Sequence, residues 1–227
     1  LPQRSAGWVS KALAVYAKDL RLELRSRYAL NAILMFAITT LAVVSFSLGQ
    51  SGLSAKLLAA LFWVVIFFSA MSGLAQVFIR EEESGTALAL RLLADPDPVF
   101  IGKLLFNFSL LAIMTLIVTP LFFIFTDAPT EHALTFIPVL ALGVIGLSGA
   151  TTLVAAIISR ASVKGALFAV LSFPILMPLL MALVAATETV FDGGNLWAVA
   201  SELQFLTAYA VVMITASIML FKFVWQD

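Results

Sequence analysis

The sequence contains no cysteine and a single histidine among 227 residues. The lack of thiols removes disulfides, thiolate metal sites and thiol nucleophiles in one step. The lone His132 sits beside Glu131 with no second ligand near it, and is read as incidental rather than as a heme or metal ligand. Charge is scarce: 11% of residues are charged, 62% are hydrophobic, and the formal net charge is zero. Bulk electrostatics therefore give no basis for nucleic-acid binding. No Asp, Glu, Lys, Arg or His lies deep inside the long apolar runs. A charge at mid-membrane costs at least about 2.5 to 3.5 kcal/mol and is usually kept for ion pathways or proton relays. Its absence argues against a proton-coupled transporter, a voltage sensor or an autonomous channel. Ser, His and Asp do not converge on any apolar helix, so an intramembrane hydrolase is equally unsupported. No three-plus-three inverted repeat is visible. Gly102-Lys103 resembles the end of a phosphate-binding loop, but no glycine stands five residues earlier and Leu104 replaces the Ser or Thr that magnesium needs. The chain is expected neither to bind nor to hydrolyse ATP.

What the sequence does have is lipid solubility. Mean hydropathy is +1.09, outside the range of soluble domains. A helical crossing needs about 20 residues, and six apolar runs reach that length, near 29–48, 57–79, 104–126, 134–159, 163–186 and 205–224. The expected fold is an all-α membrane protein of six transmembrane helices (29–227), preceded by an amphipathic interfacial segment (1–28). The basic leader is read as a retained anchor, not a cleaved signal. Of 13 cations only Lys56 falls in a loop on one side; the rest flank the other ends of the runs. Since Lys and Arg are retained inside, both termini are expected to be cytoplasmic.

Three stretches stand out. Before the first run, Val9, Leu13, Tyr16, Leu20 and Leu24 recur at helical spacing, with Lys11, Lys18 and Arg25 on another face. This predicts a helix in the membrane interface, its cations toward anionic lipid. Between the second and third runs, residues 80–103 hold five carboxylates and three cations, with Leu88, Leu90, Leu92 and Leu93 before Pro96 and Pro98. That loop must lie in water, and the leucines suit a short amphipathic helix. It reads as either a solvated connector or a handle for a partner protein. In the fourth run, Gly143, Gly146, Gly149 and Ala150, with Ser148, Thr151 and Thr152, predict close helix packing. In the fifth, Pro174 and Pro178 stand one turn apart, giving a bend or a hinge.

The run from Phe78 to Asn107, FIREEESGTALALRLLADPDPVFIGKLLFN, resembles the cytoplasmic loop of ABC exporter permeases of the second type. With KDLRLELRSRYALNAILMFAITTL from Lys18 and FFSAMSGL from Phe67, it is similar to the CcmB family of cytochrome c maturation. The resemblance covers most of the chain. It implies a permease subunit in the bacterial inner membrane, working with the ATPase CcmA, the membrane proteins CcmC and CcmD, and the periplasmic heme chaperone CcmE. It also implies a homodimer on two ATPase subunits, with ATP and magnesium held by the ATPase. Glu81, Glu82, Glu83, Gly85, Thr86, Leu88 and Leu92 would form the coupling helix that touches CcmA. Trp8, Trp63, Trp197 and Trp225 stand apart, so no tryptophan-rich heme-handling motif is present and no cofactor is expected on this chain. Heme would be handled by the complex, with this chain as a transmitting permease or a non-transporting scaffold.

Overall fold

The computed structural model describes residues 7–48, 53–74, 78, 81, 85, 86, 90, 92, 94–129, 133–158 and 164–226. Glu82, Glu83, Leu88 and His132 lie outside the described residues. Among the described residues the chain is helical, without strands. The helices are α1 (Trp8–Ser26), α2 (Tyr28–Leu48), α3 (Ala55–Leu74), α4 (Pro96–Thr126), α5 (Ala133–Ile158), α6 (Lys164–Phe191) and α7 (Ala200–Gln226).

Four of these, α4 to α7, are long and apolar enough to cross a membrane. Counting α1 and α2, which meet at 61°, as one bent pair makes five candidate spans, and α3 carries a shorter apolar run, Ala55–Met71. The protein is a multi-pass, all-α membrane protein. Helices α2 and α5 follow their apolar runs closely, whereas α6 extends past 186 to Phe191, α7 begins at Ala200, before 205, and α4 begins at Pro96, well before Leu104. Proline suits the first helical turn because its missing N–H would have no partner there. Pro96 therefore starts α4 instead of only ending the segment before it, and Asp97 adds a carboxylate to the positive end of the helix dipole.

The glycine-bearing α5 is the inner helix, packed against α4, α6 and α7. Its small residues set those distances. A Cβ at Gly143 would overlap the Trp63 ring, one at Gly146 would sit 2.9 Å from Leu179, and one at Gly149 3.1 Å from Ile214. Ala150 is buried. The face thus receives α3, α6 and α7 of its own chain. Trp63 is also fixed by a buried hydrogen bond that its Nε1–H donates to Thr187 Oγ1 at 2.8 Å, joining α3 to α6. Helix α6 continues through Pro174 and Pro178. Beside them Tyr209 of α7 donates its hydroxyl to the Ile175 carbonyl at 2.8 Å, which pins the proline segment to its neighbour.

At one end, Phe62 touches Trp63, Phe122 and Phe136 edge-on. At the other, Phe221 packs against Phe78, Phe100 and Trp225. This second aromatic group forms the floor of the site described next.

Candidate functional site

Helix α1 contains only two carboxylates, Asp19 and Glu23. Both are buried, along with Ala12 and Val15. Positions 12, 15, 19 and 23 share one helical stripe, and it is this stripe that lies on α4. The large apolar residues of α1 fall elsewhere. Val9, Leu13 and Leu24 are exposed, while Tyr16 and Leu20 are half-buried. The apolar face read from the sequence is thus largely left for lipid, and a small, acidic face meets the protein.

Two adjacent residues of α4 explain the docking. A Cβ at Gly102 would lie 2.7 Å from both the Ala12 carbonyl oxygen and the Val15 Cβ. Only the bare backbone of glycine lets α1 cross this closely. Next to it, Lys103 has no solvent exposure. Its Nζ is 2.9 Å from Glu81 Oε2 and 3.5 Å from Asp19 Oδ2, and lies over the Phe78 ring, 4.7 Å from the centroid. Lys18 completes the group, bonding Glu81 Oε1 and reaching Asp19 Oδ1 at 3.1 Å. Among the described residues, two ammonium groups and two carboxylates thus interleave at the meeting point of α1, α4 and the loop. A buried charge is tolerable only when paired and hydrogen-bonded, and this arrangement meets that requirement.

Further ties surround it. Lys11 donates to Asp95 at 2.8 Å, Lys222 of α7 reaches Asp97 at 3.2 Å, and Tyr16 meets Ser109 at 3.3 Å. Glu23 spans the corner after Arg27, whose φ is +53°, and accepts a hydrogen bond from the Leu30 N–H at 2.9 Å. It caps α2 from the preceding helix.

The sequence-predicted loop residues divide. Glu81 is buried in the ionic group. Gly85 adopts φ +69° with open space around it, a left-handed turn that glycine takes without a Cβ penalty. The Thr86 N–H then bonds the Glu81 carbonyl at 3.0 Å, and the bonds Leu90 to Thr86 and Ala94 to Leu90 follow the α-helical pattern. Leu92 is 79% exposed. Glu81 therefore faces inward while Leu92 faces out. Sequence reasoning missed Lys18, Asp19 and Gly102-Lys103 as members of this group. The available signal was the 12, 15, 19, 23 stripe, in which acid on an otherwise cationic helix marks a face that needs a buried cation.

Glu81 has its pKa below the ordinary 4.5: burial would raise it, but Lys103 and then Lys18 outweigh that. Lys18 lies above its ordinary 10.5, because burial, which lowers it, is outweighed by Asp19 and Glu81. The signs follow from linkage. Stabilisation from Glu81 is present above 4.5 and is lost as pH falls through its lowered native value. That from Lys18 is present below 10.5 and is lost as pH rises through its raised value. Unfolding of the purified protein in detergent should therefore show a stability plateau between these limits and a fall on the acid side. In Glu81→Gln the plateau should be lower and the acid fall shallower; an acid limb unchanged by this substitution would exclude the assignment.

Among the described residues no group of His, Asp and Glu side chains is placed to hold a metal ion. Comparison with protein families gives a match over residues 10–223 to the family described as CcmB protein. Comparison with curated proteins gives no match.

Proposed function

The chain belongs to the CcmB family, and on that premise we propose that it is the permease component of a heme exporter in cytochrome c maturation, driven by a separate ATPase subunit. In this reading the protein is not itself an enzyme. Six helices, α2 to α7, cross the inner membrane with both termini cytoplasmic, and α1 lies in the cytoplasmic interface. The segment from Glu81 to Leu92 is the coupling helix that docks on CcmA. CcmC and CcmD are membrane partners, CcmE receives heme through the complex, and two copies of this chain sit on two ATPase subunits. No cofactor resides on this chain, and ATP and magnesium belong to CcmA.

The observation that carries this reading is the bonding of Glu81 to Lys103 at the base of α4 and to Lys18 of α1. A force applied to the loop reaches both helices through one carboxylate. Glu81 then belongs to the transmitting side, and contact with the ATPase falls to Glu82, Glu83, Leu88 and the exposed Leu92. Apolar side chains would fill a groove on the partner while the carboxylates make charge-assisted hydrogen bonds.

The test is ATPase activity of the copurified complex in lipid, with heme transfer to the chaperone followed in parallel. Glu82→Lys should lower the amount of CcmA recovered per permease. Glu81→Gln should leave that ratio unchanged and lower both ATPase stimulation and heme transfer. An unchanged CcmA ratio in Glu82→Lys would remove the docking assignment. Heme transfer that persists when CcmA contact is lost would instead favour a scaffold role, a reading that the uncharged spans also permit.

A further inference from the structure

Away from the charged site, α3 and α6 enclose a groove of about 440 Å³. The helices run antiparallel there, since Trp63 bonds Thr187 while Phe67 meets Phe173. The walls are apolar and partly open sideways: Val64, Phe68, Phe173 and Met181 are all exposed. Such walls suit an acyl chain. Among the described residues, two charged side chains line the groove, Lys56 and Glu188. Lys56 is in the first turn of α3 and Glu188 in the last turn of α6, so the antiparallel packing puts both at the same mouth. Neither is in an ion pair with the other or with another described residue.

We propose that this groove is a binding site for a zwitterionic phospholipid whose headgroup carries a primary amine, as in phosphatidylethanolamine. Its acyl chain occupies the apolar trough, its phosphate takes Lys56 and its ammonium takes Glu188. Charge complementarity selects this occupant. An anionic amphiphile would satisfy Lys56 and meet repulsion from Glu188. A quaternary ammonium headgroup has no N–H to donate to a carboxylate, whereas a primary ammonium has three. The Trp63–Thr187 hydrogen bond sits beside the mouth and fixes the spacing of the two helices there. Nothing in this assignment depends on the coupling reading above.

The test uses the purified protein with its natural partners, reconstituted in nanodiscs of equal parts phosphatidylethanolamine, phosphatidylcholine and phosphatidylglycerol. Lipids retained on the protein are then counted by native mass spectrometry. Because the mouth is exposed and such ion pairs are individually weak, retained phosphatidylethanolamine should exceed each of the others by about two- to fivefold. Glu188→Gln should abolish the preference over phosphatidylcholine, Lys56→Gln should lower retention of all three, and Glu188→Lys should turn the preference to phosphatidylglycerol. Lys56 is exposed and Glu188 half-buried, and an unchanged elution profile checks folding. Retention in the bulk ratio by the wild-type protein would overturn the proposal. So would an unchanged preference in Glu188→Lys, or recovery of a porphyrin or a partner helix in the groove instead of lipid.

Discussion

Lys103→Met should destabilise the protein by about 3–5 kcal/mol, the cost of removing one partner from a buried ion pair and leaving the other uncompensated. Methionine keeps much of the lysine volume and can still lie against the Phe78 ring, so the loss isolates the charge. Glu81 and Asp19, both buried, would be left with Lys18 as the remaining cation among the described residues of the group, and its side chain is 40% exposed. Reversible unfolding in mixed micelles, followed by tryptophan fluorescence, measures the effect. The triple variant Asp19→Asn/Glu81→Gln/Lys103→Met should recover most of the lost stability, because neutral groups carry far less desolvation penalty. It should not recover ATPase stimulation if the ionic group transmits motion from the loop. A single variant that loses less than about 1 kcal/mol, the range of a surface pair, would mean that Lys103 is hydrated in the membrane and does not hold the helices together.

The lipid-soluble part of the architecture was legible because length and apolarity alone announce a spanning helix. The ends of α2 and α5 follow directly from where the apolar runs stop, whereas α6 carries on past 186 to Phe191. The start of α4 does not follow from them, because Pro96 and Pro98 carry two meanings. A proline ends the helix before it and is equally suited to the first turn of the next, and only the chain geometry shows that Pro96 is a beginning. The protein-facing side of α1 was not legible for a related reason. Periodicity finds the most apolar stripe, which in a soluble protein is the buried one. At a membrane surface the apolar stripe has a second solvent available, and the small, acidic stripe of Ala12, Val15, Asp19 and Glu23 packs on protein instead.

Gly102-Lys103 shows where reading along the chain stops. As a local motif the pair excludes nucleotide binding and says nothing more. Its role depends on Asp19, 84 residues away, and on a loop carboxylate that a sequence pattern assigns to solvent. The glycines of α5 are an intermediate case: a small-residue face predicts close packing, while the partners that fill it, Trp63, Leu179 and Ile214, come from three other helices.

Gly102→Ala should displace α1 from α4, with a stability loss of about 1–3 kcal/mol, the usual cost of forcing an added methyl into a packed site. The clash is partly with backbone: the new Cβ would stand 2.7 Å from the Ala12 carbonyl oxygen as well as from Val15 Cβ. Rotating a side chain cannot relieve it, so the helix itself must move. Trimming Val15 to alanine in the same protein removes its Cγ1, 2.9 Å from the new Cβ, but neither its Cβ nor the carbonyl, and should restore little. Because the chain has no cysteine, spin labels can be attached without background at cysteines replacing the exposed Leu13 and Leu105. Gly102→Ala should lengthen and broaden the distance between them, weaken the Lys18–Glu81 and Lys11–Asp95 contacts, and lower ATPase stimulation in proportion. Gly7→Ala, where nothing lies within 4 Å of the added atom, should change none of these. If the distance shifts while ATPase stimulation holds, α1 is an anchor only, and motion reaches α4 from Glu81 through Lys103 alone.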